Sequence, residues 1–268
     1  MTAADDGQLL RAFERALASG GLHMAYQPKV SLRDGSLVRV EALVRWNDPD
    51  VGLIEPSRFI PVAEENGWID ELSIWGLTTI FEQLNAWKSE GIDTSVAFNI
   101  SALSLQHLDF PDIVERLCRS FNVTTDRLVL ELTEGATQPL IKLMDTLTRF
   151  RIKGIGLAID DFGTGYSSLL QLRRLPFTQV KIDRAFVVDV DSARDSQIVV
   201  KAIIDLAHNL GIVAVAEGIE TRAQLDVLRA IGCDLGQGYL ISQPLMPEAL
   251  AQFVAELPTI WAALTTGA

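Results

Sequence analysis

The chain has 268 residues, a formal net charge of −12 and a hydrophobic share of 48%. This composition is typical of a globular protein with enough apolar residues for a core, and it excludes a disordered chain. The acidic balance repels nucleic acid and anionic membranes, so it argues against a protein that binds duplex DNA. A small anionic ligand remains compatible with this charge, because a bound divalent metal reverses the field locally.

The two cysteines, Cys118 and Cys233, lack the spacing of a metal-binding motif. We expect them to be reduced, mostly buried thiols in a cytoplasmic protein. The acidic N-terminus does not resemble a signal peptide, and no apolar segment is long enough to span a bilayer. We therefore predict a cytoplasmic segment without membrane contact, either by itself or as the cytoplasmic portion of a larger protein.

The first elements form a helix followed by a strand pair. A short amphipathic helix is predicted at Gln8–Ala18, and Gly20-Gly21 ends it. Strands are predicted at Leu22–Val30 and Leu37–Trp46, joined by a turn at Arg33-Asp34-Gly35. Because this connection is short, we expect the two strands to be antiparallel.

After this pair, helices and short strands alternate nearly to the end. The predicted helices are Pro56–Asn66, Glu71–Lys88, Phe110–Ser120, Pro139–Arg151, Ser167–Leu172, Gln197–Leu210, Arg222–Ala230 and Pro247–Ala255. The predicted strands are Val96–Ile100, Leu128–Leu132, Ile155–Ile159, Gln179–Ile182, Ile212–Ala216 and Gly238–Ile241. In the helix at Pro139–Arg151, the residues expected to face inward are Leu140, Leu143, Met144, Leu147 and Phe150.

This inventory, about eight strands with helical crossovers, predicts an α/β protein with a (β/α)8 barrel. An open doubly wound sheet is the alternative. We favour the barrel because no glycine-rich dinucleotide loop follows an early strand. No linker or internal repeat divides the chain, so we expect one domain over residues 1–268.

Polar side chains stand at or near the end of strand after strand. They are Asn99, Glu131, Asp160, Asp161, Lys181, Asp183 and Glu217, while Glu41 lies within an apolar strand. In a parallel barrel these strand ends meet on the face that carries the active site. One such acid alone is more simply explained as a helix cap. Several carboxylates on one face repel without cations between them, which predicts oxygen ligands for Mg²⁺, Mn²⁺ or Ca²⁺.

The stretch from Asp160 to Ser168 is the most specific of these segments. The adjacent carboxylates of Asp160 and Asp161 could bridge two ions, as two-metal hydrolases require. Lys181 would orient water or offset phosphate charge. The two glycines allow the stretch to fold tightly over a site, and a serine in it can also cap the following helix.

Several motifs, all in order, resemble those of the EAL-domain family of cyclic di-GMP phosphodiesterases. They are Tyr26-Gln27-Pro28-Lys29, Glu41-Ala42-Leu43-Val44-Arg45-Trp46, Pro56–Glu65, Asn99-Ile100-Ser101, Glu131-Leu132-Thr133-Glu134, Asp160–Ser168, Val180-Lys181-Ile182-Asp183, Ala216–Thr221 and Gln237-Gly238-Tyr239. Glu-Ala-Leu alone would be a worthless match. The ordered set covers nearly the whole chain and leaves very little room for coincidence.

The resemblance implies a TIM-like barrel whose first strand is antiparallel to the rest, with two Mg²⁺ or Mn²⁺ ions. The implied metal ligands are Glu41, Asn99, Glu131 and Asp160 for one ion, and Asp160, Asp161 and Glu217 for the other.

The resemblance also implies further residue roles. The implied catalytic residues are Lys181, which helps to position or activate water, with Glu41, Asp160, Asp161 and Glu217. The implied substrate contacts are Gln27, Arg45, Leu53, Asp183 and Gln237. Glu134 would support the loop, and Glu220 and Gln237 the site. For the guanines, the candidates Leu53, Ile54, Pro56 and Phe59 have core packing as an equal alternative.

The implied activity is hydrolysis of cyclic di-GMP to linear pGpG by a two-metal mechanism, with Ca²⁺ inhibitory. A catalytically silent cyclic di-GMP receptor is the rival, and a regulatory dimerisation domain is a second one. We favour the enzyme because every ligand position matches the family pattern. The resemblance also implies a homodimer and fused sensory or GGDEF domains. The apolar helix Ser196–Leu210 is one candidate dimer surface, although packing of this helix against the barrel explains most of its apolar pattern.

Overall fold

The computed structural model describes residues 3–133, 140–163 and 172–266. Nine strands in this part of the chain form a single sheet. They are β1 (Leu22–Ser31), β2 (Leu37–Asp48), β3 (Gly52–Ile54), β4 (Ser95–Asn99), β5 (Leu128–Thr133), β6 (Gly156–Phe162), β7 (Gln179–Ile182), β8 (Val213–Ala216) and β9 (Leu235–Gly236). The strand β3 was not predicted, and it is a short hairpin partner of β2.

The sheet closes on itself as a barrel. Its order is β1-β9-β8-β7-β6-β5-β4-β2, and β1 also pairs with β2. The strand β1 is antiparallel to both of its neighbours, whereas the other barrel strands run parallel. The predicted TIM-like (β/α)8 barrel with an antiparallel first strand is therefore confirmed, and closure excludes an open sheet.

The turn between β1 and β2 shows why these strands form a hairpin. The Asp34 carboxylate accepts hydrogen bonds from the backbone and hydroxyl of Ser36. Gly35 has a φ of +76°, and a Cβ there would lie 2.1 Å from the Trp261 ring. Glycine is required at position 35 for two reasons. Its backbone is left-handed, and any larger side chain would collide with the Trp261 ring of the last helix.

The helices of the described residues cover the outside of the barrel. They are α1 (Ala3–Ser19), α2 (Pro56–Glu65), α3 (Ile69–Ser89), α4 (Phe110–Ser120), α5 (Leu140–Ile152), α6 (Arg184–Val187), α7 (Arg194–Asn209), α8 (Arg222–Ala230) and α9 (Leu250–Thr265), with single 3-10 turns at Ser104–Gln106, Thr125–Arg127 and Pro247–Ala249. Most predicted helices match these within a few residues, but α9 extends ten residues beyond its predicted end at Ala255. The part of the chain that the structure describes contains no helix long and apolar enough to cross a membrane.

Two details of the predicted pattern are wrong. The last strand is Leu235–Gly236, while Gly238–Ile241 is a turn in which the Ile241 amide donates to the Gly238 carbonyl. This turn packs tightly, since a Cβ on Gly238 would lie 2.2 Å from backbone atoms of Ile219. Met144 is 42% exposed, whereas Leu143, Leu147 and Phe150 of the same helix are buried. The predicted helix Ser167–Leu172 lies almost entirely outside the described residues.

Small side chains fill the lower interior of the barrel, while large ones pack between sheet and helices. Ala97, Val129 and Ala158 form a separate buried cluster. A further cluster joins α1 to α2 and β2 through Phe13, Trp46 and Phe59, whose ring centroids lie 5.5–5.9 Å apart. The sequence prediction that both cysteines are buried is confirmed.

Candidate metal and catalytic site

The predicted acidic residues converge inside the barrel at the carboxyl ends of the parallel strands. Asn99, Glu131, Asp160 and Lys181 lie in β4, β5, β6 and β7, while Glu217 and Gln237 follow β8 and β9 directly. Glu41 lies in the middle of β2, opposite Gln27 of β1. Parallel strands place consecutive ends side by side, which explains how residues far apart in sequence share one site.

Lys181 lies at the centre of this site. Its Nζ atom is 2.7 Å from Glu131 Oε2, 2.8 Å from Asp160 Oδ2 and 2.8 Å from Glu217 Oε1. The fourth carboxylate, that of Glu41, is 3.5 Å away. Burial opposes the charge, but these acids raise the pKa of Lys181 well above its ordinary value. A buried ammonium therefore holds together acids that would otherwise repel.

Both oxygens of the Glu41 carboxylate have partners. The Asn99 amide donates to Oε1 at 3.0 Å, and the Gln237 amide donates to Oε2 at 2.8 Å. Burial opposes ionisation, but Lys181, Lys29 and the two amides hold the pKa of Glu41 below its ordinary value. The Gln237 amide also donates to Glu217 Oε1 at 3.0 Å, so it connects two predicted ligands. Its own amide oxygen is buried without a hydrogen-bond partner in the described part of the chain.

Asp160, Asp161 and Glu217 form the tightest acidic group. Each offers one carboxylate oxygen, and these oxygens lie within 4.8 Å of one another. Asp161 has a left-handed φ of +53°, and its backbone amide donates to Asp160 Oδ1 at 2.9 Å. Burial is the main cause that raises the pKa of Glu217 to about 8, and burial with repulsion from Asp160 raises that of Asp161 to about 6.

This donor set fits divalent cations that prefer oxygen ligands. It contains carboxylates and an asparagine amide, without a sulfur or imidazole group among the predicted ligands. Burial and repulsion from Asp160 raise the pKa values of Asp161 and Glu217, so both carboxyl groups hold a proton more tightly than they would in water. Because carboxylates bind metals in their deprotonated form, cation binding at these two acids would compete with protons.

A cavity of about 590 Å³ opens beside the acids. Its walls include Arg45 of β2, Asn99, Glu131, Pro56 of α2 and Leu103. Such a volume is within the range of ligand-binding clefts. Arg45 thus lies at the cavity, with one guanidinium nitrogen donating to the Val44 carbonyl at 2.9 Å.

The other predicted substrate contacts differ in their surroundings. Gln27 is buried and donates to the Ser242 carbonyl at 3.2 Å. Asp183 caps α6 by accepting from the Ala185 amide at 2.8 Å, as a residue at a strand end often does. Leu53 is 61% exposed on β3. Their contacts with substrate remain predictions.

Among the remaining guanine candidates, Ile54 and Phe59 belong to the buried α1–α2 cluster, which agrees with the core-packing alternative. Pro56 does line the cavity. The supporting residue Glu220 is exposed and accepts from Arg184 at 2.7 Å rather than reaching the acids. Glu134 lies outside the described residues.

Lys29 is the residue of this site that the sequence prediction missed. It is fully buried, and its Nζ lies 2.5 Å from Glu131 Oε1 and 3.2 Å from Glu41 Oε2. The signal was present, because a lysine within a strand of buried residues requires a buried acidic partner. Its position two residues after Gln27 also places both side chains on the same side of the strand.

Fold and site together define an α/β barrel protein with a polyacidic centre at the carboxyl ends of its strands. The family model of the EAL domain matches residues 10–244. The cyclic di-GMP phosphodiesterase PA2567 of Pseudomonas aeruginosa is 39% identical over 248 residues, which are 92% of this chain and 42% of that protein. The bifunctional diguanylate cyclase/cyclic di-GMP phosphodiesterase MucR of the same organism is 39% identical over 250 residues, 92% of this chain and 36% of MucR.

The fold similarity extends to a solved structure of one of these relatives. The PaMucR phosphodiesterase in complex with c-di-GMP superimposes with a TM-score of 0.85 at 39% identity, over 91% of this chain and 99% of that one. The chain belongs to the EAL domain family, as its motifs predicted. It spans less than half the length of the two curated relatives named above.

Proposed function

We propose that this chain hydrolyses cyclic di-GMP to linear pGpG with the help of two divalent cations, Mg²⁺ or Mn²⁺. The observation that carries the proposal is the convergence of Glu41, Glu131, Asp160 and Glu217 on one buried ammonium, that of Lys181. Asp161 extends the same group of acids. The names of the relatives support the choice of substrate.

The predicted ligands divide into two overlapping groups. Glu41, Asn99, Glu131 and Asp160 would hold one ion, and Asp160, Asp161 and Glu217 the other. When bound, such ions supply Lewis-acid chemistry, which makes water acidic enough to attack at neutral pH and stabilises charge on phosphate. Asp160 is common to both groups and adjoins Asp161, whose backbone amide donates to Asp160 Oδ1.

The other polar residues would bind and orient the reactants. Lys181 would help to position or activate the attacking water. Arg45, at the cavity wall, offers the guanidinium geometry that suits a phosphate. Hydrolysis adds the hydroxyl of water to one phosphorus and a proton to the departing 3′ oxygen, which opens the ring to pGpG.

The first test is an activity assay on the purified chain. Cyclic di-GMP is incubated with Mg²⁺, with Mn²⁺, and with a chelator in place of metal, and the nucleotides are then separated. We expect pGpG with either metal and none with the chelator. Tight nucleotide binding without product in any metal would contradict the proposal and favour the silent receptor.

Excess Ca²⁺ is expected to inhibit the reaction. Ca²⁺ takes more ligands at longer distances than Mg²⁺, so it would hold the carboxylates too loosely for two closely spaced ions. We expect the rate at saturating substrate to fall at least about tenfold when Ca²⁺ exceeds Mg²⁺. Steady-state rates over a Ca²⁺ titration measure this, with excess Mg²⁺ as the reversal control. Unchanged rates would count against a closely spaced pair of ions.

Several features of the sequence prediction reach beyond catalysis. A cytoplasmic location, a homodimer and control by fused sensory or GGDEF domains all stay predictions. The candidate dimer surface belongs to α7, where Ile198 and Val199 are 56% and 39% exposed. Size measurement in the same sample as the activity assay tests the dimer directly.

A further inference from the structure

Lys29 is a second ammonium in the interior of the barrel. It enters from β1, the antiparallel strand, and is paired across the hairpin with Arg39. None of its surface is exposed, so its charge must be balanced by partners within the protein. Those partners are two acids from other strands, Glu41 of β2 and Glu131 of β5.

The two lysines divide the oxygens of Glu131 between them. Lys29 Nζ lies 2.5 Å from Oε1, and Lys181 Nζ lies 2.7 Å from Oε2. A carboxylate held at both oxygens has a fixed plane. The oxygen Oε2 therefore faces the side of the site where Asp160 and Glu217 lie, while Oε1 stays with Lys29.

The two ammonium groups differ in what a bound cation would do to them. Lys181 contacts four carboxylates, all of them predicted ligands, so ions that take these oxygens replace its bonds. In the described structure, the carboxylates within ion-pair distance of Lys29 are those of Glu41 and Glu131, and it contacts the Glu131 oxygen that Lys181 does not contact. Its bond to Glu131 Oε1 leaves Oε2 available to an ion.

We propose that Lys29 is a positioning residue of the metal centre, which orients Glu41 and Glu131 for the first ion and keeps its contact with Glu131 when ions bind. This proposal rests on the metal site of the proposed function. It does not require turnover. The excess of carboxylates over ammonium groups keeps the centre attractive to cations despite the charge of Lys29. Partners that orient metal ligands from outside the coordination sphere typically contribute about 10–100-fold to metal affinity.

The test compares Lys29→Met with Lys153→Met in the full chain. Methionine is unbranched and only one heavy atom shorter than lysine, and it removes the charge. Lys153 is a matched control, since it also joins two carboxylates, Asp112 and Glu115, but at the surface. Titration calorimetry with Mn²⁺ alone, without nucleotide, should give a dissociation constant about 10–100-fold higher for Lys29→Met. Lys153→Met should match the unaltered chain.

A dissociation constant for Lys29→Met equal to or lower than that of the unaltered chain would overturn the proposal. A merely structural role would lower the melting temperature without changing that constant. Should Lys29→Met fail to fold, ¹⁵N signals of the lysine ammonium groups in the unaltered chain decide the question. The Lys29 signal should persist at saturating Mg²⁺ while that of Lys181 shifts, and its disappearance would refute the role. Normal Mn²⁺ binding without pGpG formation would refute the proposed function alone.

Discussion

Glu41→Ala is expected to lower the turnover of cyclic di-GMP by at least about a thousandfold while the barrel remains folded. The substitution removes a predicted ligand of the first ion and leaves Asn99 and Gln237 without their shared partner. The fold should survive, because Glu131, Asp160 and Glu217 still balance the two buried lysines. Initial rates at saturating metal and substrate measure the loss, and circular dichroism checks the fold.

The matched control for this variant is Glu115→Ala. Glu115 also accepts from a lysine and an arginine, but it lies on α4 at the outside of the barrel. The turnover of Glu115→Ala should stay within about twofold of that of the unaltered chain, since Glu115 lies outside the site and surface ion pairs contribute little to stability. A Glu41→Ala variant with full activity would show that the metal assignment is wrong.

Lys181→Met is expected to have the largest effect on stability. Four carboxylates would lose their common cation inside the barrel, and one of them, Glu131, has no exposed surface. Breaking a buried ion pair from one side typically costs about 3–5 kcal/mol, so the free energy of unfolding should fall by at least about that much without metal. Denaturant titration of the metal-free protein measures this change. Turnover should fall together with stability, because the predicted partner of the attacking water is also lost.

Divalent cations should restore much of this stability. Ions that bind the folded state supply the missing positive charge and stabilise it by mass action. We therefore expect Mg²⁺ to raise the melting temperature of Lys181→Met more than that of the unaltered chain. Equal shifts in both proteins would mean that Lys181 and the ions do not act on the same carboxylates. Lys153→Met, again as a surface control, should melt within a few degrees of the unaltered chain.

The barrel could be predicted because strands and helices alternate along nearly the whole sequence. The short turn at Arg33-Asp34-Gly35 correctly indicated that β1 is antiparallel to β2. The final strand was misplaced, since β9 has only two residues and its neighbouring turn contains apolar residues such as Leu240. A strand so short leaves no alternating pattern, and its place is determined by hydrogen bonds to β1 and β8.

The acidic residues of the site could be predicted from their positions at strand ends. The roles of apolar residues could not, because they depend on side-chain packing. Glu131, Asp160 and Lys181 converge as parallel strand ends require. Phe59 looks equally suitable for a base-binding pocket or a core, and only its contacts with Phe13 and Trp46 distinguish these roles. Lys29 was not predicted as a site residue. The prediction selected polar residues at the carboxyl ends of parallel strands, whereas β1 is antiparallel to its neighbours.

The reversed direction of β1 also determines where the chain enters the barrel. In a barrel of uniformly parallel strands, the first strand would begin at the face opposite the site. Here it begins beside the site, since Leu22 pairs with Trp46 near the carboxyl end of β2. The helix α1 is consequently anchored at the site face, where Phe13 packs against Phe59 of α2. Because α2 also contributes Pro56 to the cavity wall, α1 packs directly against an element that borders the cavity beside the acids.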